Sequence, residues 1–107
     1  MTAVSEPPEL SAENAKLLTL ARAVRARTGA AEAAAARDGI GRTYVAASVE
    51  LPSLRLSAVQ AVVAAALSSG TDRLDTVYVI NTSGHLSDVD QAVLDDLSVT
   101  TVLLAGG

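Results

Sequence analysis

Apolar and polar positions switch between a helical and an alternating period along the chain, and the switches mark its elements. Leu17, Leu20, Ala21 and Val24 recur at helical spacing. Ser11 is placed to cap that helix, Glu13 to favour its dipole, and Gly29 to end it, so a helix is expected from Ser11 to about Arg27. Ala31–Arg37 and Thr43–Val49 then read as two strands joined by Asp38-Gly39-Ile40-Gly41, whose glycines supply the positive φ of a tight hairpin. Propensity alone would make the alanine-rich first strand helical; the preceding Gly29, the turn that follows and the resemblance given below together favour a strand. Glu50–Arg55 reads as a proline-containing loop. Ser57-Ala58-Val59-Gln60 has the form of a capping box and opens a helix, apolar nearly all round, to about Ser69. Asp75–Asn81 is the clearest strand. Ser87-Asp88-Val89-Asp90 starts another helix, ending near Leu97, and Thr100–Leu104 is a last strand. The order α-β-β-α-β-α-β suggests a mixed sheet with helices packed on it.

Composition narrows the class. A chain of 107 residues fits one domain, here residues 11–107, preceded by a lead-in over residues 1–10 expected to be flexible. Half the residues are hydrophobic, but there is no Phe or Trp and only two Tyr, so Ala, Val and Leu must fill the core. Such a core is thin, and self-association into a homo-oligomer is the expected remedy. Without cysteine there is no disulfide, thiolate metal site or cysteine nucleophile. The N-terminus has no basic region followed by an apolar one, and the longest apolar run, Ala61–Leu67, is too short to cross a bilayer. A cytoplasmic protein without membrane contact is expected. A net charge of −4 argues against nucleic acid as the main partner.

Several local strings resemble the small cytidine deaminases. That family opens with a helix and a hairpin whose second strand runs into Asn-Val-Glu; here the stretch is Ser48-Val49-Glu50. Its Cys-Ala-Glu signature, at the start of the next helix, is matched by Ser57-Ala58-Val59. Its Pro-Cys-Gly-x-Cys-Arg-Gln string is matched without gaps by Leu86-Ser87-Asp88-Val89-Asp90-Gln91-Ala92. The resemblance runs from about Glu13 to Leu104 and implies a three-layer α/β/α domain, truncated at the C-terminus. It assigns the three zinc-ligand positions to Ser57, Ser87 and Asp90, and the proton-shuttling glutamate to Val59. Zinc deaminases need three His or Cys ligands and that glutamate. Two hydroxyls and one carboxylate do not make a zinc site, and valine carries no proton. No cofactor or metal is therefore expected. Serine is near-isosteric with cysteine and a favoured cap, so Ser57 and Ser87 read as ligand positions turned into N-caps; ordinary N-caps of an unrelated domain are the alternative. The resemblance also gives Ser48 and Glu50 a place beside a ribose, although a carboxylate ending an exposed strand is more commonly just solvated.

Other signals carry less. His85, the only histidine, lies near Asp88 and Asp90, but a metal needs three or more converging ligands, and a Ser83–His85–Asp88 triad would be squeezed into one loop. Asp38-Gly39-Ile40-Gly41-Arg42 lacks the Lys-Ser/Thr of a phosphate loop. Arg22, Arg25, Arg27 and Arg37 offer a modest basic patch without stacking aromatics. The expectation is a non-catalytic deaminase-like protein that oligomerises or binds an unidentified protein, with weak nucleoside binding at most. The rivals are an adaptor for RNA or ribosome assembly acting through the arginines, and an enzyme using Glu50, His85, Asp88 or Asp90 in an unrecognised way.

Overall fold

Local sequence signals set the element boundaries in the computed structural model, which describes the backbone of residues 3–5 and the whole of residues 11–106. Ala3–Ser5 form a short strand, β1; the rest of the lead-in lies outside the described residues. The lead-in thus contributes structure that its polar sequence did not announce. Helix α1 spans Ala12–Thr28; the Ser11 hydroxyl accepts the Asn14 N–H at 3.1 Å, and Gly29 closes it in the left-handed region at φ 69°. Its buried stripe is Leu17, Leu18, Ala21 and Val24. Leu20, expected in that stripe, is 36 % exposed, and Leu18 on the other flank of Leu17 takes its place.

Strands β2 (Ala33–Asp38) and β3 (Thr43–Ala47) form the expected antiparallel hairpin, with Gly41 at φ 88° in the turn. Four consecutive alanines, Ala33–Ala36, are fully buried in β2 despite their helical propensity. Tertiary pairing overrides propensity here, because β2 is hydrogen-bonded on both sides.

The expected loop from Glu50 to Arg55 is instead a miniature antiparallel ribbon, β4 (Val49–Leu51) and β5 (Leu54–Leu56), with Glu50 opposite Arg55. Pro52-Ser53 turns the chain between two three-residue strands too short to leave a periodic signal. Helix α2 (Ala58–Ser68) carries the complete capping box, the Ser57 side chain on the Gln60 N–H and the Gln60 side chain on the Ser57 N–H. Strand β6 (Leu74–Asn81), helix α3 (Asp88–Asp96, capped by Ser87) and strand β7 (Thr101–Gly106) complete the chain.

The main sheet runs β1-β7-β6-β2-β3. Pairs β2–β3 and β2–β6 are antiparallel, while β6–β7 and β1–β7 are parallel, so the sheet is mixed as expected. Alternate strand residues feed two cores. Ala33, Ala35, Tyr78, Ile80 and Leu103 pack under α1, whereas Ala34, Ala36, Val77, Val79, Val102 and Leu104 pack under α2 and Leu94 of α3. The domain is therefore three-layered, α1 on one face and α2 with α3 on the other. Among the described residues no helix is long and apolar enough to cross a membrane.

Candidate functional site

The N-termini of α2 and α3 meet at one end of the sheet, and four polar side chains converge there. Ser57 and Ser87 hold their helix starts by accepting the N–H of Gln60 and of Asp90, each at 3.1 Å. The Ser57 hydroxyl donates to Asp90 Oδ1 at 2.5 Å, a bond in the range of hydroxyl–carboxylate pairs. Asp90 is 6 % exposed. From the start of β2, Glu32 Oε1 accepts the Ala58 N–H at 3.2 Å, where the α2 dipole favours negative charge. Glu32 is itself tied to the end of β3: its N–H donates to Ser48 Oγ at 3.2 Å, and its carbonyl accepts the Ser48 N–H at 3.0 Å.

Beside this junction lies a cleft of about 410 Å3, lined by Glu32, Ser48, Glu50, Arg55, Ser57, Gln60 and Asn81 among others. That volume falls within the range of small-molecule sites. Ser48, Glu50 and Ser57, singled out from the sequence, thus share one cavity. Ser87 and Asp90 do not line it; Asp90 is joined to it through the Ser57 hydroxyl. Val59 does not line the cleft; it is fully buried in the core beneath α2. Glu32 was missed by sequence reasoning, and its only signal was a lone charge at the edge of an alanine run. The ribbon β4–β5 supplies one wall through Glu50 and Arg55, so the misread loop is part of the site.

His85 is exposed, its Nδ1 3.2 Å from the Ser83 carbonyl, and Ser83 Oγ bonds the His85 carbonyl rather than its ring. No triad is assembled. Among the described residues no group of three or more His, Cys, Asp or Glu is disposed to hold a metal. The four arginines do not form one patch. Arg22 and Arg25 border a separate shallow cavity with Gly29, Ile80 and Gly106. Arg37 turns to the start of α1, donating to Asn14 Oδ1 at 3.0 Å and Thr76 Oγ1 at 3.2 Å. At 1.5 Å per residue, Asn14 and Arg22 stand roughly 12 Å apart along the helix.

A second polar cluster sits at the hairpin end of β2. Asp38, 3 % exposed, accepts Ile40 N–H, Arg42 N–H and Arg42 Nε at 2.8–3.0 Å, the Tyr44 hydroxyl at 3.0 Å and the Thr71 hydroxyl at 3.2 Å. The Tyr44 and Thr71 hydroxyls also bond each other. Burial pushes the Asp38 carboxyl up, but the Arg42 guanidinium, the two backbone N–H groups and Tyr44 outweigh it and hold the acid well below the usual carboxylate range. Arg42 also donates from Nη2 to Thr71 Oγ1 at 3.0 Å, so the cluster is a clasp between the hairpin and the segment joining α2 to β6.

Comparison with known proteins bears on the fold and the family. The chain is similar in structure to cytidine deaminase from Mycobacterium tuberculosis, with a TM-score of 0.70 and 25 % identity over 87 % of this chain and 85 % of that one. It is also similar to cytidine deaminase from Mycobacterium leprae, with a TM-score of 0.68 and 21 % identity over 85 % and 87 %. Among curated proteins no sequence matches it significantly. The model of the cytidine deaminase-like family matches residues 10–107, nearly the whole chain. The chain belongs to the cytidine deaminase-like family.

Proposed function

We propose that this chain is a non-catalytic member of its family, a cytoplasmic protein that acts by self-association or by binding a protein partner. Its cleft would retain weak nucleoside binding at most, through Ser48 and Glu50. The observation that carries this reading is the donor set at the α2–α3 junction. Ser57 and Ser87 already serve as caps, Asp90 is bonded to Ser57, and the buried residue next along α2 from Ala58 is Val59. Such a set does not fit zinc: neutral hydroxyls are poor ligands, and one carboxylate does not replace three His or Cys donors. With no set of ligands to activate a water on zinc, and valine at the position the resemblance gives to the proton shuttle, the hydrolytic loss of an amino group by the zinc route is not supported by these residues. The leucines exposed on the ribbon, Leu51 and Leu54, with Leu67 on α2 and Val89 on α3, support a role in association.

The test is metal analysis of the purified protein combined with an assay for uridine formed from cytidine. No stoichiometric zinc and no turnover are expected. One zinc per chain, or turnover above background, overturns the reading. Light scattering on a size-exclusion column is expected to give a mass above 10.8 kDa. A concentration-independent monomer removes self-association and leaves the partner role.

A further inference from the structure

We infer that Asp90 and Ser57 form a metal-independent tie that fixes the α2 wall of the cleft from behind. The inference rests on the non-catalytic reading above, since it gives a structural job to the residues that the family resemblance places around a metal.

The geometry links three segments distant in sequence. Asp90 stands on α3, is almost fully buried, and does not line the cleft. Its carboxylate accepts a hydrogen bond from the Ser57 hydroxyl, which leaves the lone pairs of the Ser57 oxygen for the Gln60 N–H. Gln60 returns a bond from its side-chain oxygen to the Ser57 N–H at 2.9 Å. Glu32, arriving from β2, takes the neighbouring Ala58 N–H. Ser57, Gln60 and Glu32 all face the cleft, so the wall they form is held by one carboxylate behind it and one beside it. A metal bound between two helix starts would fix their spacing in the same way; here a charge-assisted hydrogen bond does so.

The pair has an energetic signature that distinguishes a tie from two independent caps. Ser57→Ala removes the cap and also leaves the Asp90 carboxylate without its hydroxyl donor. Asp90→Ala removes the charge together with its desolvation cost, while Ser57 can still cap Gln60. Breaking a buried charged pair from the neutral side is the costlier change. Ser57→Ala is therefore expected to lower Tm by roughly 10 °C or more, from the combined losses and the usual scaling of Tm with free energy. Asp90→Ala is expected to lower it by less, and the double variant to be no worse than Ser57→Ala alone.

The experiment is a thermal-unfolding cycle over wild type, the two single variants and the double variant. Amide exchange at Ala58, Val59 and Gln60 is read in parallel, and Asp90→Asn is included as a shape-preserving variant. Exchange at these amides should quicken about tenfold or more in Asp90→Ala while α1 amides keep their protection. Strictly additive Tm losses, or unchanged exchange at the start of α2, overturn the tie and leave the non-catalytic reading intact. Should Ser57→Ala fail to fold, the exchange data on Asp90→Ala and Asp90→Asn decide alone. Wild-type protein whose Tm rises with one equivalent of zinc would instead overturn the non-catalytic reading, and the tie with it.

Discussion

Substituting Val59 by glutamate asks which way that position faces. The family resemblance places a proton-shuttling glutamate there, and such a group must reach the cleft. In the structure Val59 is fully buried with Val62, Val63, Ala34 and Ala36 in the core beneath α2. A carboxylate in that setting is desolvated, so its folded pKa should rise well above the value of about 4.3 for an unfolded glutamate. The sign follows from proton linkage. Below pH 4 both states bind the proton and ionisation adds no penalty. Above it the unfolded chain ionises first, and stability falls by about 1.4 kcal/mol per pH unit until the folded pKa is reached. Between pH 5 and pH 7 the variant should lose about 2.7 kcal/mol relative to wild type at the same pH. That is a large part of the ~5–15 kcal/mol that holds an ordinary domain folded. Urea unfolding at pH 5, 6 and 7, with wild type and Val59→Gln in parallel, measures it. The glutamine variant carries the same bulk and should show no such slope. A flat difference across this range for Val59→Glu refutes the argument, because it means the carboxylate reaches water in the cleft.

Two further predictions concern the polar clusters. Asp38→Asn should lower Tm at neutral pH, since Arg42, Tyr44 and Thr71 converge on that anion. Because the folded carboxyl is held below its unfolded pKa, its stabilisation is full above about pH 4 and is lost as pH falls through the folded value. A carboxyl NMR titration with its Asp38 midpoint at or above the ordinary aspartate value would sink this account. The triple variant Ser57→Cys, Ser87→Cys, Asp90→Cys should bind one zinc, with cobalt giving thiolate charge-transfer absorption, because each cysteine would stand at a helix start that favours the thiolate. No binding at micromolar metal would show that these positions do not converge as the resemblance implies.

The legible parts of the fold were those with a local chemical cause. Serine caps before Ala12, Ala58 and Asp88, and glycines at positive φ after α1 and in the β2–β3 turn, marked their boundaries in sequence. The parts that were not legible are decided by tertiary neighbours. Leu18 and Leu20 flank Leu17 on opposite sides of α1, and only the seating of the helix on the sheet selects between them. The β4–β5 strands have three residues each and no core of their own. In the site, Ser48, Glu50 and Ser57 could be found through their strings, whereas Glu32 belongs to no string. Asp38 was visible only as a turn residue, since its partner Thr71 lies on a different segment.

The alanine run of β2 has a consequence for how the sheet finds its alignment. A strand normally encodes its own register, because sliding by one residue exchanges a large apolar side chain for a polar one. Sliding Ala33–Ala36 by one position exchanges alanine for alanine on both faces, so the middle of this central strand carries no such information. The information sits at its two ends. Glu32 is locked to Ser48 and to the start of α2, and Asp38 to Arg42, Tyr44 and Thr71. These two acids act as the pins of a featureless ruler: one lies at the cleft and the other at the clasp, and together they set which alanine faces which helix.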